Sequence, residues 1–326
     1  MPSPNATFTE LVSTTFRKHS KTFADNVSNN NALLMRLNQK GRKRLIDGGL
    51  TIVEDLEYAE NGTYQRYSGY DTLDVSASDV LSAAEYNWKQ AVVHVIASGL
   101  ELRSNSGDSQ IINLAESRLK NAMHTFKNNY SSDIYSAGSL SNQINGLQAI
   151  IPDTAGGTLG GIDGSTYTFW QAIVQSAASL IGGGSLTLSS STMEQFMLQL
   201  WLELCRGSDK PDLITMSNDY FTFFEQSQTA IKRYTTDSDS AGKAAAGFVS
   251  MKYKTADVIF DGGSGIAASH LYMLNTDFLR LVCHRDADMT EVPEMRPINQ
   301  DAEVIPIITM GNLTCSNRSL QGVGKA

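Results

Sequence analysis

Five histidines, three cysteines and a few paired carboxylates are the residues of this chain best suited to chemistry. The histidines (His19, His94, His124, His270, His284) fall in separate segments. None has the HExxH or HxH spacing that puts two imidazoles on one metal. Cys283 and His284 are adjacent, so on a strand they face opposite sides and cannot share an ion. Cys205, Cys283 and Cys315 are odd in number and far apart, which argues against a disulfide framework or a zinc knuckle and predicts reduced, buried thiols. For a nucleophile there is neither a GxSxG elbow nor a cysteine in a recognisable catalytic context. The pairs Glu54-Asp55 and Asp286/Asp288 lie in polar stretches, where raised carboxyl pKa values are not expected. GGTLGGIDG (156–164) has the glycines of a phosphate loop, but no GK[ST] follows, and it reads as a surface turn. Ser217-Asn218-Asp219 stands where an α/β enzyme could place a catalytic group, yet helix capping already accounts for those residue types. The expectation is no catalytic residue, no cofactor, no metal and no enzyme.

The 326 residues are 41% hydrophobic and 18% charged, a globular composition, with no apolar run long enough to cross a membrane. A net charge of −8 argues against a dedicated nucleic-acid binder. The uneven distribution of charge is more informative. Residues 17–44 hold eight basic side chains (Arg17, Lys18, Lys21, Arg36, Lys40, Arg42, Lys43, Arg44) against Asp25 alone. Residues 50–88 hold eight acids (Glu54, Asp55, Glu57, Glu60, Asp71, Asp74, Asp79, Glu85) against Arg66 alone. Neighbouring segments of opposite charge imply a contact, within the chain or between copies.

Periodicity orders the elements. Residues 1–48 read as an arm, with LLMRL suggesting one docked helix. Residues 49–98 read as a polar ribbon: LTIVEDLEYAE, a turn around NGTYQRYSGY, and a return ending in QAVVHVIASG. Limbs of about 12–15 residues would reach about 40–50 Å, beyond the radius of a compact body, so the ribbon must project. A long helix capped at Asp108 or Ser109 follows, with Ile111, Ala115, Leu119, Ala122 and Phe126 in phase and NNYSSDIYSAGS as its end. After a glycine-rich stretch, Ser191 and Glu194 suggest a capping box for a helix buried through Met193, Met197, Leu200, Trp201 and Leu204. A short strand then leads to a helix capped by Ser217 or Asn218, and the remainder is mainly strand. The class is α+β.

Four stretches in this order resemble the major capsid proteins of tailed bacteriophages, the Hong Kong 97-type shell fold. LTIVEDLEYAENGTYQRYSGYDTLDVSASDVLSAAEYNWKQAVVHVIASG is similar to the family's extended E-loop, and IINLAESRLKNAMHTFKNNY to its spine helix. INGLQAIIPDTAGGTLGGIDGSTYTFWQ is similar to the lead-in to the axial domain, and HLYMLNTDFLRLVCH with GNLTCSNRSLQGVG to the closing strands. The resemblance implies an arm (1–48), an E-loop with its return strand (49–98), a peripheral domain (99–133 with 283–310) and an axial domain (134–282 with 311–326). It implies self-assembly as hexamers and pentamers into an icosahedral capsid enclosing double-stranded DNA without sequence-specific binding, formed in the host bacterial cytoplasm. Implied partners are a portal, cement proteins, and a separate scaffolding protein or none. The alternatives are an encapsulin-like nanocompartment shell and a soluble α+β enzyme.

In such shells the E-loop lies across a neighbouring subunit, which supplies the surface that the ribbon lacks. Arg42, Lys43 and Arg44 of one copy are then expected to meet Glu54, Asp55, Glu57 and Glu60, beside Arg66, of another. Alternatively, the basic arm faces the packaged DNA. Some members cross-link through an E-loop lysine, and residues 50–88 contain none, so no covalent linkage between copies is expected.

Overall fold

The computed structural model describes residues 31–104, 114–228, 250–261, 265–292 and 299–326. Leu11, Phe16, Arg17, Lys18, Lys21 and the expected cap at Asp108 or Ser109 lie outside these residues, as do Ile111 and Ile112.

The first elements are helix α1 (Ala32–Gln39) and strand β1 (Lys43–Ile46). Asn31 caps α1, its Oδ1 accepting from the Leu34 amide at 3.0 Å. Ala32, Leu33 and Leu37 are fully buried against the body, and each leucine contributes about 1.5–3 kcal/mol. The helix suggested by LLMRL is therefore docked on the body.

The ribbon consists of β2 (Ile52–Glu57) and β3 (Leu81–Tyr86), paired antiparallel with Ile52 opposite Tyr86 and Glu57 opposite Leu81. Only six residues of each limb are paired, about 20 Å of ladder, instead of the 12–15 expected. Alternation sends Ile52, Glu54 and Leu56 inward and Val53, Asp55 and Glu57 to the surface. With Ala84 and Tyr86, the apolar inward residues join the main core. The base of the ribbon is thus anchored, while residues 58–80 hold no strand.

Next come β4 (Lys89–Ser98), α2 (Gly99–Ser104) and α3 (Leu114–Tyr135). The long helix ends at Tyr135, inside the polar stretch expected to close it. Ser131, Ile134 and Tyr135 are buried, and Ser131 Oγ accepts from Asn31 Nδ2 at 2.8 Å, so tertiary contacts override weak helix propensity. A short helix α4 (Leu147–Ile150), a small hairpin of β5 (Thr158–Leu159) and β6 (Ile162–Asp163), and β7 (Ile173–Ser176) lead to α5 (Met193–Glu203). Thr192, not Ser191, is the N-cap residue of α5, and its side chain makes no cap bond, so the expected capping box is absent. The buried face of α5 is as expected, with Phe196 added.

The rest comprises β8 (Leu213–Met216), α6 (Asn218–Ser227), β9 (Ser250–Tyr253), β10 (Ala256–Phe260), β11 (His270–Leu274), β12 (Leu279–His284), β13 (Thr290–Glu291), β14 (Ala302–Cys315) and β15 (Gly322–Lys325). Two sheets organise the body. In the first, β14 pairs with β4 along 302–311, with β12 along 311–315 and with β13 at 307–308, and β1 runs parallel to β12. The second has the order β7-β15-β11-β8-β10-β9, with α5 and α6 packed on it through Phe196, Leu200, Tyr220 and Phe224.

Candidate assembly interface

The paired stem puts most of residues 60–77 at the surface, where turns shape them. The Asp71 carboxylate accepts from the Ser68 amide, Asp74 from the Ser76 amide, and the Thr72 carbonyl from Gln65 Nε2. Bonds from Ser76 hold the Asp74 carboxyl below the usual carboxylate range. Three tyrosines recur every third residue with little cover: Tyr64 is 80% exposed, Tyr67 67%, and Tyr70 fully. Val75 is 91% exposed. A tip this apolar, flanked by Glu60, Asp71, Asp74 and Asp79, has the makeup of a contact surface without its partner.

The stem is held at its base. The Glu85 amide donates to the Gly160 carbonyl at 2.9 Å, and Tyr58 packs on Phe169 with ring centroids 5.7 Å apart. Gly160 has φ +61°, and a Cβ there would come within 2.8 Å of Ala84 Cβ, so glycine is required for the β5–β6 turn to meet the stem. Between turn and stem lies a groove of about 560 Å³, bordered by Tyr58, Asp79, Glu85, Tyr167 and Phe169. Arg318 fixes this turn from behind. It is 1% exposed and donates to the carbonyls of Ile150, Gly156, Gly157 and Trp170, at 2.5 to 3.3 Å.

A second surface is the open face of the first sheet. The helix α3 covers Val93, Val95, Ile305 and Ile307. The opposite face of β4 carries Val92, His94 and Ile96, whose cross-strand partners are Ile308, Pro306 and Val304. Val92 and Ile96 are both more than half exposed.

The structure separates the eight residues expected at contacts between copies. Arg42 pairs with Asp277 at 2.6 Å and Lys43 with Asp288 at 2.5 Å. Glu54 is 3% exposed and accepts from Arg280 at 2.7 Å and from Thr314 Oγ1 at 2.9 Å. These three are committed within their own chain, and the inward phase of β2 was the signal for Glu54. Arg44, Asp55, Glu57, Glu60 and Arg66 are exposed. Among the described residues no ion pair joins the basic triplet to the ribbon acids. Sequence reasoning did not find the acids that hold α1: Arg36 pairs with Asp212 and Asp257, and Lys40 with Asp212 and Asp277. Partial burial pushes the Asp277 carboxyl up, but bonds from Arg42 and Lys40 outweigh it and leave the group below its ordinary range.

The residues weighed for chemistry are placed as follows. Ser217 is the N-cap residue of α6, but its hydroxyl donates to the Asp219 carboxylate, which also takes the Ser269 hydroxyl. His270 faces Asp153 at 3.1 Å and the Ala268 carbonyl at 2.7 Å. Cys283 and Cys315 are buried free thiols, pushed up by burial to about 11 and about 12. Among the described residues no group of three His, Cys, Asp or Glu could hold a metal, and no helix is long and apolar enough to cross a membrane.

No protein-family model matches the chain, and no curated protein matches it in sequence. Solved structures do. The chain superposes on the cyanophage A-1(L) capsid protein with a TM-score of 0.61 at 16% identity, covering 94% of this chain and 95% of that one. The capsid of the empty GTA particle gives 0.59 at 10% identity, with 94% of both chains covered. The capsid of Myoviridae phage XM1 gives 0.54 at 11% identity, with 94% of this chain and 95% of that one. The chain has the fold of these capsid proteins, the Hong Kong 97-type shell fold, with the α+β character expected from its sequence.

Proposed function

We propose that this chain is a structural virion protein that self-assembles as hexamers and pentamers into an icosahedral shell around double-stranded DNA. The observation that carries the reading is the ribbon tip: three exposed tyrosines and an apolar rim, on a body with a capsid fold, and nothing among the described residues to cover them. In this reading, the tip of one copy lies on the open face of the next copy's first sheet, over Val92, Ile96, Val304 and Ile308. Both surfaces then leave water together, at about 25 cal/mol per Å2 of apolar area.

Charge supports the same contact. With Arg36, Lys40, Arg42 and Lys43 engaged in their own chain, Arg44 is the group for Asp55, Glu57 and Glu60 of a neighbour. Each exposed pair contributes only about 0–1 kcal/mol, but the contact repeats at every position of the lattice. In this reading α3 and most of β14 belong to the peripheral domain (99–133 with 283–310), and the second sheet belongs to the axial domain (134–282 with 311–326). The role needs no catalytic residue, cofactor or metal. Its partners are further copies of the chain, a portal, and scaffolding and cement proteins where the particle uses them, and its place is the capsid built in the host cytoplasm.

The test is electron microscopy of the purified chain beside Val92→Asp/Ile96→Asp. The native chain should form closed particles, while the variant, altered only at exposed positions, should keep its melting temperature and form none. A native chain that stays monomeric at every concentration would overturn the reading.

A further inference from the structure

The chain contains two Asn-Gly pairs, Asn61-Gly62 and Asn145-Gly146. In such a pair the main-chain nitrogen of the glycine can attack the preceding side-chain amide, because no Cβ blocks its approach. The two sites differ sharply in their surroundings. Gly146 is buried at the start of α4, and a Cβ there would lie 2.3 Å from the Ser136 carbonyl oxygen. The Asn145 main chain is tied as well, its amide donating to Asn312 Oδ1 at 2.8 Å. That backbone cannot turn to bring nitrogen and amide together.

Asn61-Gly62 is the opposite case. Both residues are exposed on the ribbon tip, and the nearest atom to a Cβ at Gly62 is Ser78 Oγ at 3.9 Å. Among the described residues the Gly62 N–H donates to no acceptor, so its nitrogen is not tied up. The Asn61 side-chain oxygen, in contrast, accepts three hydrogen bonds: from the Thr63 amide at 3.0 Å, the Thr63 hydroxyl at 2.7 Å and the Ser78 hydroxyl at 3.1 Å. Donors already aimed at a carbonyl oxygen stabilise the negative charge that develops there when its carbon is attacked.

We propose that Asn61 is a self-modification site that converts to aspartate and isoaspartate without an enzyme. The Gly62 nitrogen gives its proton to water and bonds to Asn61 Cγ, and the electron pair of the C=O moves onto Oδ1 under the three donors. The pair returns, the C–N bond to the side-chain nitrogen breaks, and ammonia leaves with a proton from water. Water then opens the resulting succinimide at either carbonyl. One opening restores the main chain as aspartate, and the other lengthens it by a methylene as isoaspartate. No oxidant, reductant or cofactor is needed. Either product adds a negative charge beside Glu60 at the tip. Resting on the shell reading above, the lengthened isoaspartate main chain would distort the tip and weaken the contact between copies with age.

The test uses the purified full-length protein held at mildly alkaline pH, with peptide mass spectrometry and isoaspartate methyltransferase labelling over time. The peptide containing Asn61 should gain the mass of amide-to-acid exchange and take the label at least about tenfold faster than the one containing Asn145. The variant Thr63→Val/Ser78→Ala keeps the Asn-Gly pair but removes two of the three donors, and should convert about tenfold more slowly. Equal rates at the two asparagines would overturn the proposal, as would a variant that converts as fast as the native chain. Both readings are made on the isolated chain and are independent of assembly. A separate comparison of particle yield for Asn61→Asp tests the shell reading alone.

Discussion

Replacing Arg318 by methionine tests how the body holds the ribbon. The guanidinium is buried with no ion-pair partner among the described residues, and its donors go to four main-chain carbonyls, of Ile150, Gly156, Gly157 and Trp170. Methionine fills much of the same volume but donates nothing, so four carbonyl oxygens lose a charged partner. Gly157 is exposed and its carbonyl keeps the Gly164 amide, so three acceptors are left unpaired, and at about 1–3 kcal/mol each the gross loss is about 3–9 kcal/mol. Removing a buried cation recovers several kcal/mol of desolvation, which leaves a net cost of about 3–5 kcal/mol. Lysine should be hardly better, since one ammonium cannot span four acceptors in a plane. With a urea slope of about 3 kcal/mol per molar, the midpoint of unfolding should fall by about 1 M or more. The β5–β6 turn should loosen with it, which urea titration of the isolated chain and hydrogen exchange at the Glu85 amide both read. A variant within about 1 kcal/mol of native, with Glu85 still protected, would refute the reasoning.

Removing the Glu54 carboxylate (Glu54→Ala) strands Arg280 and leaves the Thr314 hydroxyl only the Arg280 carbonyl at 3.3 Å. Because Arg280 can turn to water, the cost is about 1–3 kcal/mol, below that of a fully buried pair, and chemical denaturation checks it. Asp277, held below its ordinary range in the folded chain, stabilises α1 in full above the unfolded carboxyl value near about 4 and loses that contribution as pH falls further. The stability difference between native and Asp277→Asn should therefore be flat at neutral pH and shrink on acidification, and a difference that grows below pH about 4 would contradict it. With no lysine in residues 50–88, particles run on a denaturing gel should give a single band at the monomer position, and a ladder would refute the expectation.

Elements whose cause is local were legible in the sequence. The buried face of α5 follows from helical spacing, the β8–α6 junction from its cap residue, and the ribbon from polar alternation between glycine-rich ends. What escaped depends on partners far away along the chain. Glu54 meets Arg280 across 226 positions and Arg42 meets Asp277 across 235, and no pattern in either segment announces the other. Helix α3 persists through the first part of its polar closing stretch because Asn31, a hundred positions upstream, satisfies Ser131, and because Ile134 and Tyr135 reach the core. The ribbon's missing cover was legible as a lack. The open face over Val92 and Ile96 was not, since β4 reads as apolar on both sides and the side covered by α3 is a tertiary fact.

The decisive comparison sets the native chain beside one whose residues 62–78 are replaced by a short glycine-serine turn, both viewed by negative-stain electron microscopy after purification. The stem and core are untouched by that replacement. Closed shells from the native chain and only monomers or loose capsomers from the shortened one are the predicted result. Normal shells from the shortened chain would contradict the claim that the ribbon finds its partner surface on another copy.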